Sequence, residues 1–294
     1  MLNHAKRNVV HLGLATCLLG LVSLWVCGCK SAVPTEESGP AAVTRAKATG
    51  NAEKGAELTT KAQPQMLLVF CGSAGKPGID DVAAAFEKDH PGVTVARSYG
   101  GSGTVLSQMI VGETGDVYIP GSDDFMDKAE KKAMVLPGTR KIVCYLVPVI
   151  AVQKGNPKGI KTLDDFAKPG VKVGIGAPKT VCLGDIAMEV FQKAKVTEKV
   201  TPNIVTHADS CGTVETLLKL KHVDAAIGWD VFAASSPKDI DIIQLPAGLT
   251  KMRSIPAAVA KYTKNRALAE EFVKFIAESD VSHQAFKKHG FTVK

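Results

Sequence analysis

The chain has 294 residues, of which 45% are apolar and 22% charged, so it can bury one large core or two smaller ones. A formal charge of +7 spread over scattered basic residues, with no reading motif, excludes the clustered footprint of a nucleic-acid binder. Aromatic residues make up only 5%, and the apolar content is that of a water-soluble protein everywhere except at the start.

At that start, Lys6 and Arg7 precede an apolar run from Val9 to Val26, which ends in Val26-Cys27-Gly28-Cys29. The charged, apolar, small-residue layout predicts a signal peptide over 1–28. Its ending resembles a bacterial lipoprotein box, which implies that Cys29 is lipidated and becomes the new N-terminus. A permanent membrane helix is the competing reading, because the run is near the roughly 18-residue length of a span. Residues 29–65 hold small and polar side chains, three prolines and no aromatic, too little apolar surface to offset ordering. They are expected to form a disordered tether with a reach of about 30–35 Å.

From Met66 the pattern alternates. MLLVFC reads as a buried parallel strand, and Ile79, Val82, Ala83 and Phe86 recur at helical spacing. VTVARSY is a second strand, Leu106, Met109 and Ile110 mark a second helix, and DVYIPG a third strand. After the long extended stretch RKIVCYLVPVIAVQKGNP the rhythm restarts at KTLDDFAKPG and the strand VKVGIG. Helices follow at Ile186 to Ala194 and Val214 to Leu220, then the strand AAIGW, the extended SIPAAVAKY and a last helix carrying Leu268, Phe272, Phe275 and Ile276. This βαβ succession predicts an α/β fold. Two extended runs bracketing an α/β block predict two lobes, each a mixed sheet flanked by helices, joined by two crossing strands. The expected boundaries are 66–145 with 254–294 for the first lobe and 146–253 for the second.

In open α/β sheets, ligands lie beyond the strand C-ends, where helix N-termini offer free N–H groups and a positive dipole end. Four junctions carry suitable residues: CGSAGKPG, YGGSGT, GAPKTVCLGD and HADSCGTV. The stretch YGGSGTVLSQ suits an anion, yet it contains no lysine or arginine.

These loops, with YGGSGTVLSQMIVGETGDVYIPGSDDFMDKA, VDAAIGW and the closing FKKHGFTVK, resemble the periplasmic molybdate-binding proteins of ABC importers over Met66 to Lys294. The resemblance implies a two-lobe periplasmic-binding-protein-like fold, no enzymatic activity, no cofactor and, as ligand, a molybdate or tungstate oxyanion held by hydroxyls and backbone N–H groups. It further implies a monomer, tethered to a membrane by its lipid outside the cytoplasm, with an ABC permease as partner. Carried over by position, Ser102 matches a ligand serine and Ser73 stands one place from another. The N–H of Leu183 and the backbone at Cys211 match further contacts, and Trp229 stands where the family commonly has tyrosine. Indole offers one N–H donor and no acceptor.

A cage of donors suits an oxyanion that is fully deprotonated near neutral pH. Hydrogen phosphate also needs an acceptor, and leaving its proton unpaired costs about 1–3 kcal/mol. Sulfate has no proton and must be rejected by size. Each serine also suits a plain helix cap, Lys76 and Lys179 read as solvated or anion-steering, and Asp230 as a strand-end acid facing water. Beyond Cys29 lie Cys71, Cys144, Cys182 and Cys211, of which Cys144 reads as core filler and Cys182 with Cys211 as a conceivable disulfide. A sulfate- or phosphate-type binder is one alternative function. Another is a thiol-based metal or redox lipoprotein using Cys71, Cys182, Cys211 and His207, although no C-x-x-C pair is present.

Overall fold

The computed structural model describes residues 64–294. The expected signal peptide, Cys29 and nearly all of the tether lie outside the described residues. In chain order the elements are β1 (Gln65–Gly72), α1 (Lys76–Asp89), β2 (Val93–Gly100), α2 (Ser102–Gly112), β3 (Val117–Ile119), α3 (Asp123–Lys131) and β4 (Lys141–Leu146). The chain continues through β5 (Pro148–Gln153), β6 (Val173–Gly176), α4 (Cys182–Lys193), a short α5 (Thr197–Val200), β7 (Ile204–Ala208), α6 (Cys211–Lys219), β8 (Ala225–Trp229), a short α7 (Phe232–Ser235) and β9 (Ile240–Gln244). It closes with β10 (Arg253–Val259), α8 (Arg266–Glu278) and α9 (Asp280–Lys288).

The strands form two five-stranded sheets, ordered β2-β1-β3-β10-β4 and β7-β6-β8-β5-β9. In the first, β1 is parallel to β2 and β3, while β10 runs antiparallel to β3 and β4. In the second, β6 is parallel to β7 and β8, while β5 runs antiparallel to β8 and β9. Each sheet is therefore mixed. Every residue of β5, β6 and β8 is buried, as expected of strands covered on both faces. Helix α8 lays Leu268, Phe272 and Ile276 into the first core, with the Phe272 ring 5.1 Å from that of Phe86 in an edge-on pair.

Two readings from the sequence change here. RKIVCYLVPVIAVQKGNP is not one strand but two in different sheets, broken at Val147. Pro148 has no N–H for a continuing ladder, and Val147 pairs elsewhere: its N–H donates to Asp230 Oδ1 (3.1 Å) and its C=O accepts from the Asp230 N–H (2.9 Å). Asp230 thus does not face water as a solvated strand-end acid; it clamps the crossing, and burial pushes its carboxyl pKa up. KTLDDFAKPG forms a single 3-10 turn over Leu163–Ala167 whose first N–H groups are held by a Thr162–Asp165 capping box.

Candidate functional site

The parallel strands of both sheets run their C-ends toward one cleft. In the first lobe β1 leads into Ser73, β2 through Gly101 into Ser102, the first residue of α2, and β3 through Gly121 and Ser122 into α3. In the second, β6 leads into α4 and β7 into α6, so Cys182 and Cys211 each occupy the first position of a helix. Trp229 ends β8. The N-caps of α2 and α4, Gly101 and Val181, supply no side-chain cap, which leaves N-terminal N–H groups for other partners.

Close backbone approach requires glycine at two of these positions. A Cβ on Gly72 would stand 2.4 Å from the Gly121 nitrogen, and one on Gly101 would stand 2.7 Å from the carbonyl oxygens of both Asp209 and Thr180 in the opposite lobe. The lobes also bond across the cleft: the Gly103 N–H donates to the Thr180 oxygen (2.8 Å) and the Gly212 N–H to Ser73 Oγ (3.1 Å). Farther out, Lys128 pairs with Asp185 (3.0 Å). Buried Arg253, at the start of β10, reaches Asp124 of the first lobe (3.0 Å) and Glu189 of the second (2.6 Å). Burial raises the pKa of Asp124, whereas for Glu189 burial is outweighed by the bonds from Lys193 and Arg253, which hold its carboxyl below the ordinary range.

At the centre stand two sulfurs. Cys182 Sγ and Cys211 Sγ are 3.4 Å apart, and both residues are buried and free of disulfide. Polar groups gather on them. The Gly121 N–H donates to Ser102 Oγ (2.9 Å), the Ser102 hydroxyl lowers the Cys182 pKa against its other neighbours, and the two sulfurs share one contact in which either thiol can donate. The Cys211 pKa is consequently lowered, first by the bond from Cys182, against desolvation, and then by the indole of Trp229 and the N–H groups of Leu183 and Cys211. The Cys182 pKa moves the other way, first because its proton is engaged by Cys211 and then through burial. The indole N–H of Trp229 is fully buried and, although near the Cys211 sulfur, falls short of hydrogen-bonding geometry to any acceptor. A cavity of about 300 Å³ opens between the lobes, lined in part by Ser73, Lys76, Gly212 and His289 and by none of the residues around the sulfurs.

Of the residues singled out in the sequence, Ser102, Leu183, Cys211 and Trp229 are brought together around the sulfurs. Ser73 is instead engaged across the cleft by Gly212. Lys76 pairs with Asp80 and lies 4.6 Å over the Tyr99 ring, and the Lys179 backbone N–H donates to Asp185 (2.6 Å). Cys71 lies in β1 and His207 in β7, on different sheets. No group of three or more metal-ligating side chains forms among the described residues, which removes the four-residue thiol–histidine centre. The sequence reading passed over Ser122, whose hydroxyl is buried without a partner. Its only sequence signal is its place at the third strand-to-helix junction.

Two mixed-sheet lobes joined by two crossings, with helix N-termini converging between them, define a solute-binding protein. The chain belongs to the bacterial extracellular solute-binding protein family, whose model matches residues 67–292. Members bind solutes for transport and are not enzymes. The chain is 25% identical to the molybdate-binding protein ModA of Escherichia coli, over 78% of this chain and 89% of that one. The periplasmic molybdate-binding protein of Azotobacter vinelandii superposes with a TM-score of 0.68 at 19% identity, covering 78% of this chain and 99% of that one. The sulfate-binding protein SubI of Mycobacterium tuberculosis superposes with a TM-score of 0.66 at 19% identity, covering 77% and 86%.

Proposed function

We propose that this protein holds a tetrahedral oxyanion, molybdate or tungstate, between its lobes and delivers it to an ABC permease from an exported position anchored through a lipid on Cys29. The observation that carries the reading is the convergence of donors from both lobes: the Ser102 hydroxyl, the N–H groups at the starts of α4 and α6, and the Trp229 indole. Fixed dipoles of this kind replace a counterion because they are oriented before the ligand arrives. Ser73 and Gly212, already bonded across the cleft, would hold the two lobes together around the ligand. Similarity to molybdate-binding relatives favours the larger oxyanions over sulfate.

The test is calorimetric titration of the reduced full-length chain in detergent with molybdate, tungstate, sulfate and phosphate. One-to-one binding of the first two is expected, with phosphate weaker by about tenfold or more because its proton finds no acceptor. Binding of none of the four overturns the reading. Solution scattering on the same samples should show compaction with the bound ligand, since only the closed form makes contacts from both lobes.

A further inference from the structure

The sulfurs stand where the donors converge, so an oxyanion entering the cage must meet them. We propose that Cys182 and Cys211 form a dithiol site for a trivalent arsenic- or antimony-type oxyacid, a thiophilic centre that carries its own oxygens. The inference rests on reading the cleft as the ligand site, and it names a second ligand class for that site.

Geometry narrows the choice first. Taking a metal–thiolate bond of roughly 2.3 Å as the scale, two sulfurs on a linear two-coordinate ion stand about 4.6 Å apart, and two on a centre with bonds near a right angle about 3.3 Å. The observed separation is 3.4 Å, which matches the pyramidal arrangement of a trivalent centre. The surroundings narrow it further. A linear two-coordinate soft cation is disfavoured by that separation, and a three- or four-coordinate one by the lack of a third metal-ligating side chain among the described residues. The neighbours are donors: the Ser102 hydroxyl, the Leu183 N–H and the unpartnered, fully buried Trp229 N–H. Donors disfavour a cation and favour a ligand that brings an oxygen acceptor.

The chemistry balances without an oxidant. Arsenous acid, As(OH)₃, exchanges two As–O bonds for two As–S bonds. The two thiol protons leave with the two displaced hydroxides as water, and arsenic stays trivalent. The remaining hydroxyl oxygen accepts from Trp229, which supplies the partner its indole lacks. Cys211, whose pKa is lowered by its donors, gives up its proton more readily than Cys182 and is the first nucleophile.

The experiment titrates the reduced mature chain, residues 29–294 with Cys29 lipidated and held in detergent, with sodium arsenite, read by calorimetry and by intact mass after desalting. One arsenic per chain is expected. Cys182→Ser and Cys211→Ser, and equally the Ala variants, should each weaken binding about a hundredfold or more, because one arm of a two-point attachment is lost. Trp229→Phe should weaken it about tenfold, one hydrogen bond's worth. Thermal melts identify any variant that fails to fold, and the remaining variant at that position then decides. Unchanged arsenite binding in the cysteine variants overturns the proposal, as does equal affinity in the urea-unfolded chain. Molybdate and tungstate are titrated in parallel: arsenite binding without them refutes the molybdate reading alone, and their binding without arsenite refutes the dithiol alone.

Discussion

The two faces of the cleft are built to different states of readiness. On the first lobe's face two of the three junction serines are already engaged, Ser102 accepting from Gly121 and Ser73 from Gly212 across the gap, and only the Ser122 hydroxyl is buried without a partner. On the second lobe's face the groups are poised: Cys211 collects donors as a terminal acceptor, and the Trp229 N–H has no partner. The first face therefore contributes to the stability of the protein as it stands. The second face holds the groups that, under the proposed function, would select what enters, and both sulfurs come from that lobe.

The contrast can be broken or sharpened by substitution. The largest effect is expected where the faces are tied together: Arg253→Ala leaves Asp124 and Glu189 facing each other without their shared cation. A fully buried pair loses about 3–5 kcal/mol on such a change. The carboxylates here are 41% and 36% exposed, so a loss of about 2 kcal/mol in urea unfolding is expected. Next, Ser102→Ala orphans the buried Gly121 N–H and should cost about 1–2 kcal/mol of stability as well as oxyanion affinity, measured by urea melts and calorimetry. Trp229→Phe should separate the two readouts, since it removes a donor that is unsatisfied in the free protein. Stability should change by less than about 1 kcal/mol while oxyanion affinity falls about tenfold. A stability loss as large as that of Ser102→Ala would erase the distinction between the faces.

The smallest expected effect concerns protons. Cys211 is held below the ordinary cysteine value of 9.0, so its thiolate contributes stability that is present above that value and is lost as pH falls through the lowered one. Cys182, pushed upward, stays protonated over the same range. Thiolate absorbance should titrate below the ordinary cysteine range and move up in Cys182→Ala, which removes the strongest donor. Oxyanion affinity should fall as pH rises through the same titration, because the thiolate occupies the donors that an anion needs.

Much of this organisation was legible in the residues. MLLVFC and AAIGW declare themselves as buried strands by unbroken apolar runs, and VKVGIG by a run broken only at Lys172, just before the strand; all three are interior strands of their sheets. The edge strands β7 (IVTHA) and β9 (IDIIQ) were missed, because strands covered on fewer sides mix polar and apolar residues. Helix starts were the costlier error. The apolar period of α4 shows clearly only from Ile186, and its N-cap is Val181, which carries no capping signal, so Cys182 read as a loop residue. Ser102, Leu183 and Trp229 followed from strand-end position and family resemblance. The 3.4 Å meeting of Cys182 and Cys211, which start helices after different strands, and the grip of Asp230 on Val147 depend on how distant segments cross. Local pattern does not encode those distances.

The two crossings between the sheets differ in length: Val147 alone links β4 to β5, whereas residues 245–252 link β9 to β10. With the short strap pinned by Asp230, any rotation between the lobes has its fulcrum there, and displacement grows with the lever arm. Trp229 is the residue next to that pin, so in such a rotation it would move least relative to the opposite lobe, while helix starts farther from the fulcrum would sweep the widest arc. Under the proposed function the indole would be a stationary backstop, to which the travelling parts of the cleft would bring the ligand.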